Sequence, residues 1–273
     1  MNRERRPGPT VRVEVTEHLS EGDRQHEDRV VTEEPLEIRL AWPGSAARRV
    51  WVTMRTPGND FELAAGWVLH EGLASGVGQI AYCTDEELSD VEAFNVVTVT
   101  LREPPSRDPG HRHPAASTGS SACGVCGKDS IAEALAGPVG EGWAGPLPSP
   151  DVVRTLPGLV RSEQSLFDRT GGVHAAALAS AEGEVLVVRE DVGRHNAVDK
   201  VSGARLLAGD PPAQACLIVS GRAGFELVQK AVAAGVGSLV SVGAPTSLAV
   251  ELARRAGLQL YGFTSADRTV RFA

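Results

Sequence analysis

The sequence predicts an α/β protein whose larger domain, at the C-terminal end, has three layers (α/β/α) and is preceded by a smaller α+β domain. Three observations predict this. From Val173 onward, two strands joined by a tight turn give way to alternating helix and strand, the order that builds a largely parallel sheet covered by helices on both faces. Before residue 101, period-two alternation dominates and a single amphipathic helical segment follows a hairpin. Between these regions, residues 102–149 are rich in Pro, Gly and polar residues, from which no packed core can be built.

Taken in order, residues 1–25 are polar and of mixed charge and read as a flexible tail, with one possible strand at Val11–Val15. Residues 26–101 form the small α+β domain. Leu36–Leu40 and Val50–Met54 alternate across a Pro43-Gly44 turn and predict a hairpin. Asn59-Asp60 reads as the N-cap of a helix whose apolar residues Phe61, Leu63, Ala64, Trp67 and Val68 recur until Gly72. Two strands follow, at 79–83 and 94–101. Residues 102–149 read as a flexible linker carrying a Cys-Gly-Val-Cys-Gly loop and a short helix. Residues 150–273 are the α/β/α domain, with helices expected at 150–158, before Gly171, at 194–208, 223–234 and 247–256. Its strands are expected at 173–180, 185–188, 216–220, 239–242 and 258–263. This succession suits a cytidine-deaminase-like architecture.

With 273 residues, 42% of them hydrophobic, the chain can bury a sizeable core. No stretch is long and apolar enough to span a bilayer, and the basic start lacks the apolar segment of a secretory signal, so a cytoplasmic location is expected. The formal charge of −8 argues against nonspecific binding to nucleic acid or to an anionic membrane. An anionic ligand must therefore be held by a local arrangement. Four cysteines in this length make no disulfide scaffold. Cys83 and Cys216 lie in apolar runs and read as core residues.

The other two, Cys123 and Cys126, lie in Ser120-Ser121-Ala122-Cys123-Gly124-Val125-Cys126-Gly127-Lys128, flanked by glycines in a polar context. A Cys-x-x-Cys pair serves as a redox dithiol, as half of a zinc site, or as a thiol that carries a transferred group. His111 and His113 could complete a zinc site, although neighbouring histidines in a Pro-rich loop are more often solvated surface. The deaminase chemistry itself is not supported. It needs His-x-Glu followed by a Cys pair, whereas Val173-His174-Ala175-Ala176 has Ala in place of Glu and the Cys pair precedes it.

Ligands of open α/β sheets collect beyond the carboxyl ends of the strands, where helix N-termini present N–H groups. Four unusual turns fall there: Glu190–Asn196, Ser220–Gly224, Gly243–Ser247 and Phe263–Arg268. Each has a plain structural reading as a cap, a tight turn or a solvated Arg. Together, with Arg222 and Arg268, they suit a phosphate-rich ligand. His174 and His195 are either acid/base groups near this rim or structural histidines.

As a set, Cys-Gly-Val-Cys-Gly-Lys, Phe-Asp-Arg-Thr-Gly-Gly-Val-His-Ala-Ala-Ala-Leu, Glu-Asp-Val-Gly-Arg-His-Asn-Ala-Val-Asp-Lys-Val, Ser-Gly-Arg-Ala-Gly-Phe-Glu-Leu-Val-Gln-Lys-Ala, Gly-Ala-Pro-Thr-Ser-Leu-Ala-Val-Glu-Leu-Ala and Leu-Tyr-Gly-Phe resemble the FdhD family of formate dehydrogenase accessory sulfurtransferases. The resemblance runs from about Pro57 to Phe263. It implies an enzyme that accepts sulfur from a cysteine desulfurase as a persulfide on Cys123, with Cys126 supporting. It also implies delivery of that sulfur to the molybdenum cofactor, Mo-bis(molybdopterin guanine dinucleotide), before insertion into formate dehydrogenase. Cofactor contacts are expected at Phe263, Thr264, Ser265, Ala266, Asp267 and Arg268, with Arg222, His195 and His174. Ser265 stands where an Arg is expected. A homodimer is implied, and no permanent metal. Rival readings are a nonenzymatic cofactor-binding chaperone and a zinc or redox Cys-x-x-Cys protein.

Overall fold

The computed structural model describes residues 8–83, 88, 94–109 and 140–273. Their strands form three sheets in a mixed α/β arrangement. The first is a ribbon of two strands, β1 (Thr10–Leu19) and β2 (Gly22–Val31), paired antiparallel along their whole length. The expected loose tail over residues 1–25 is corrected here. The described part of it is strand from Thr10, and the expected boundary at residue 25 falls inside β2. The expected strand at Val11–Val15 lies within β1, whereas the charged and polar residues of β2 hide its partner strand in the sequence.

The second sheet has the order β4-β3-β6-β5, from β3 (Glu34–Trp42), β4 (Ser45–Arg55), β5 (Gln79–Tyr82) and β6 (Val96–Thr100). Alternate residues Leu36, Ile38 and Leu40 point to one face, where Leu63, Ala64, Trp67 and Val68 of helix α1 (Asp60–His70) cover them. Burying that apolar surface is what holds a four-stranded sheet of this size. Trp51 stacks on Trp67 with centroids 5.3 Å apart. Asn59 caps α1 through its left-handed backbone (φ 58°) and makes no side-chain cap bond; the Gly58 amide donates to Asp60 instead.

The third sheet has the order β12-β11-β10-β9-β7-β8. Its members are β7 (His174–Ala179), β8 (Val185–Asp191), β9 (Cys216–Val219), β10 (Ser238–Ser241), β11 (Gln259–Gly262) and β12 (Val270–Arg271). β7 runs antiparallel to both neighbours, whereas β9, β10 and β11 are mutually parallel. The small residues of β7 face alternately. Ala175, Ala177 and Ala179 meet Val153, Leu156 and Val160 of α2 (Pro150–Ser162). Ala176 and Leu178 share a core with α4 (Arg194–Ala208), α5 (Phe225–Ala233) and α6 (Ser247–Ala256). The six-residue helix α3 (Ser165–Thr170) leads into β7. Helix α2 runs through Pro157 and Gly158, where the sequence predicts its end. Burial of three residues at helical spacing overrides the local propensity. No helix among the described residues is long and apolar enough to cross a membrane.

The two larger sheets are joined through their helices. Helix α1 crosses α4 so closely that a Cβ on Gly66 would lie 1.9 Å from the Asp199 carbonyl oxygen. One on Gly203 would lie 1.8 Å from that of Glu62. Only glycine permits backbone contact of this kind, and it brings the polar residues of both helices within bonding range.

Candidate functional site

The parallel strands end together, and the loops that follow them lie side by side on one rim. The Gly243 amide donates to the Gly221 carbonyl at 3.0 Å, and the Phe263 amide to the Gly243 carbonyl at 3.1 Å. Side chains are excluded at these crossings. A Cβ on Gly243 would stand 2.9 Å from Arg222 Cγ, and one on Gly262 would stand 2.8 Å from Pro245 Cδ. The rim is thus a stack of loop backbones, as close approach to a phosphate-bearing ligand requires.

Around this stack stand the side chains that can bind. Arg222 is exposed. Phe263 is 44% exposed and left-handed (φ 51°), a costly conformation for a bulky residue and one that collects at ligand sites. The Arg268 guanidinium lies 5.4 Å from the Phe263 ring centroid, so aromatic face and cation are presented together. Ser265, Ala266, Asp267 and Arg268 form an exposed turn closed by the Ser265 amide donating to the Arg268 carbonyl at 2.7 Å. Thr264 is buried, its hydroxyl 3.0 Å from that of Thr269, and so positions this turn from beneath.

His174 belongs to the same rim. Its imidazole lies 3.6 Å from where a Gly221 Cβ would be, and its Nδ1 is 3.5 Å from the Ser220 hydroxyl. Burial and then the Arg194 guanidinium hold it below the usual histidine range, partly offset by Asp191. At neutral pH it is an uncharged imidazole facing a cation-lined edge. His195, by contrast, is buried in the first turn of α4 and is not presented on the open rim.

The Glu190–Asn196 turn does different work from that expected. Asp191 is fully buried and accepts from the Gly193 amide (2.8 Å), Asn196 Nδ2 (3.1 Å) and the Thr56 amide (3.2 Å). Lys200 Nζ stands 2.7 Å from its carboxylate and also donates to the Thr56 carbonyl at 3.0 Å. Asn196 reaches across to the Met54 carbonyl at 2.8 Å. Asp191 and Asn196 therefore clasp the β4–α1 connection to the β8–α4 connection, and Gly193 takes the N-cap position of α4. Below this clasp, Asp199 is bonded by His70 Nδ1 and Lys230 Nζ, each at 2.6 Å. Arg55 is buried against Asp60, the two bonds to that carboxylate each 3.1 Å long, and it also donates to the Phe94 carbonyl at 3.2 Å and to Asn95 Oδ1 at 2.9 Å. Sequence reading missed Arg55, Thr56, His70, Asp199 and Lys230; for all but Thr56, which gives none, the only signal is an ionisable residue placed among helical or strand residues that should be buried.

Burial holds His70 below the usual histidine range. The carboxylate of Asp199 is held below its own usual range because Lys230 and His70 more than offset its burial. The folded state thus keeps His70 neutral while the unfolded chain protonates it near pH 6.5. Unfolded protein then binds more protons, so this contribution is present above about pH 6.5 and falls away as the pH drops below it. Denaturant titrations at about pH 7.5 and about pH 5.5 should show a larger loss of stability in wild type than in His70→Gln. Equal losses would show that His70 does not titrate between the two states.

Of the cysteines, Cys216 is fully buried in β9, and burial pushes its thiol up to about 12. Cys83 is half-buried and accepts from Arg39 Nη1 at 3.6 Å. Cys123, Cys126, Lys128, His111 and His113 lie outside the described residues.

Fold and rim together define a mixed α/β protein whose six-stranded sheet carries a glycine-stacked, arginine-bearing edge. The family model of the FdhD/NarQ family matches residues 31–273, and the chain belongs to that family. It is 45% identical over 265 residues to a protein of Nocardia farcinica named sulfur carrier protein FdhD, covering 93% of this chain and 89% of that one. A protein of the same name from Mycolicibacterium paratuberculosis is 46% identical over 268 residues, with 94% of each chain covered. The fold matches a crystal structure from Desulfotalea psychrophila described as a formate dehydrogenase accessory protein. The TM-score is 0.73, with 22% identity and 97% of each chain covered.

Proposed function

We propose that this protein is a sulfur carrier in the maturation of formate dehydrogenase, acting as a sulfurtransferase with a persulfide on Cys123. The names of its relatives support the carrier role, and the state of its own cysteines narrows where sulfur can ride. Cys216 is fully buried and its thiol is pushed up to about 12, so it is no nucleophile at neutral pH. The glycine-flanked Cys123 and Cys126 are the pair suited to carry sulfur. In loading, the Cys123 thiolate attacks the outer sulfur of a desulfurase persulfide. The S–S bond there breaks and the desulfurase thiolate leaves, with no net oxidation. Cys126 supports this exchange, and Lys128 supplies nearby positive charge that favours the thiolate. A reducing cytoplasm suits such a thiol.

The substrate at the rim, in this reading, is the molybdenum cofactor in its bis-guanine-dinucleotide form. Arg222 and Arg268 offset phosphate charge, Phe263 offers a face for a base, and neutral His174 can hydrogen-bond without repelling its cationic neighbours. The order of the six-stranded sheet, a hairpin (β7, β8) at one side and three parallel strands beyond, supports the cytidine-deaminase-like reading of the scaffold. A homodimer is part of the same proposal.

GDP, as a fragment of that substrate, tests the rim by calorimetry. Each of Arg222→Ala and Arg268→Ala should weaken GDP about 10- to 100-fold, the worth of one charge-assisted hydrogen bond. GDP affinity unchanged in both variants would overturn the assignment of the rim. Sulfur acceptance is tested separately, by the mass of the protein after exposure to a desulfurase.

A further inference from the structure

Ser220, the residue after β9, is tied twice to β7. Its amide donates to the Ala175 carbonyl at 3.0 Å, and its Oγ accepts from the Ala175 amide at 2.9 Å. The same hydroxyl lies 3.5 Å from His174 Nδ1. Two placements of the protons are open to this pair. With the imidazole proton on Nδ1, Oγ would accept from both the ring and the amide, and its own proton would meet no acceptor among the described residues. With Oγ donating to Nδ1, every proton is used and the imidazole proton goes to Nε2. Nε2 has no hydrogen-bond partner among the described residues, and the ring is half-buried. The imidazole also packs over Gly221: its Cε1 and Nδ1 each lie 3.6 Å from where a Gly221 Cβ would be, and Arg194 Cδ lies 3.9 Å from the same point. Arg222 is next in the chain and exposed. An imidazole N–H and two guanidinium side chains thus share one stretch of the rim, and all three are donors. A group that satisfies donors alone is acceptor-only, as an ionised phosphate is.

We propose that Ser220 is a positioning residue for the rim: its hydroxyl donates to His174 Nδ1 and so holds the imidazole with Nε2–H as the donor offered to a phosphate oxygen of the ligand. The ligand's part in this rests on the proposed reading of the rim as a nucleotide-bearing cofactor site, whereas the tautomer belongs to the protein alone. Burial and the Arg194 guanidinium keep the ring neutral, so that it adds a directed hydrogen bond beside the arginines and no further charge. Ser220 touches the ligand only through His174. Its backbone bonds to Ala175 fix the hydroxyl in place, and the hydroxyl in turn fixes the ring.

Two measurements on the full chain test it. The first is nitrogen NMR of ligand-free protein with isotope-labelled histidine, at a pH where the ring is neutral, His174 being identified by the signals that vanish in His174→Ala. Wild type should show Nε2 protonated and Nδ1 as a hydrogen-bonded acceptor, and Ser220→Ala should move the Nδ1 signal towards that of an unbonded one. The second is calorimetry with GDP. Ser220→Ala should weaken GDP about 3- to 10-fold, the worth of one hydrogen bond, and should add nothing to the loss in a His174→Ala background, because a residue acting through another has no effect once that other is gone. A protonated Nδ1 in wild type would overturn the positioning, as would a Ser220→Ala loss of equal size with and without His174. GDP affinity unchanged in His174→Ala would overturn the phosphate contact. Wild type that fails to bind GDP at all would remove the reading of the rim instead, and the NMR signals of the ligand-free protein would still decide whether Ser220 holds His174.

Discussion

Lys200→Ala is expected to destabilise the protein by about 3–5 kcal/mol, the cost of stranding a buried charge. Lys200 and Asp191 are both essentially inaccessible, and their contact of 2.7 Å is the charge balance of the clasp between the two larger units. Once the ammonium is gone, Asp191 keeps its bonds from three donors but faces a dry interior with an uncompensated carboxylate. Either it ionises at that cost or it takes up a proton and loses strength as an acceptor. The lost donor to the Thr56 carbonyl adds to the effect. Adding Asp191→Asn should recover part of the loss, because the amide oxygen still accepts while the charge is absent. Urea unfolding of the two variants checks this. A loss below about 1 kcal/mol for Lys200→Ala would mean that water reaches the pair and that the clasp is solvated.

The clasp also shows where sequence reading stops. The strands and helices of the third sheet were legible because hydrophobic period and turn residues agree there. Helix α4 and helix α6 run over the predicted spans, and Ala175 to Ala179 alternate as a strand buried on both faces must. The ribbon was legible only in its first strand, where Val11, Val13 and Val15 alternate with polar residues; β2 is almost wholly polar before Val30 and shows no such period. The role of Asp191, Asn196 and Lys200 was not legible. Charged residues in a loop and on a helix suggest a rim, and only the close crossing of α1 and α4 at Gly66 and Gly203 turns them inward. For the site, Phe263, Arg268, Arg222 and His174 are on the rim as expected, and the structure adds Arg194 beside His174. His195 went the other way, into the first turn of α4. Spacing could not separate it from Arg194, its neighbour, because one residue of helical rotation decides which of the two faces solvent.

The buried ion pairs fix the small sheet to the large one, so that the rim keeps its shape.

The second large effect concerns the thiols. Loading requires a thiolate at the attacking position, and a serine hydroxyl at Cys123 cannot form a persulfide, so the loss should be complete. Cys216 cannot replace it from inside β9. The measurement is the intact mass, without reductant, of wild type, Cys123→Ser and Cys126→Ser after incubation with a cysteine desulfurase and cysteine. One added sulfur atom in wild type and in Cys126→Ser, absent from Cys123→Ser, is the predicted result. No added sulfur in any of the three, or an equal gain in Cys123→Ser, would contradict a carrier working through Cys123.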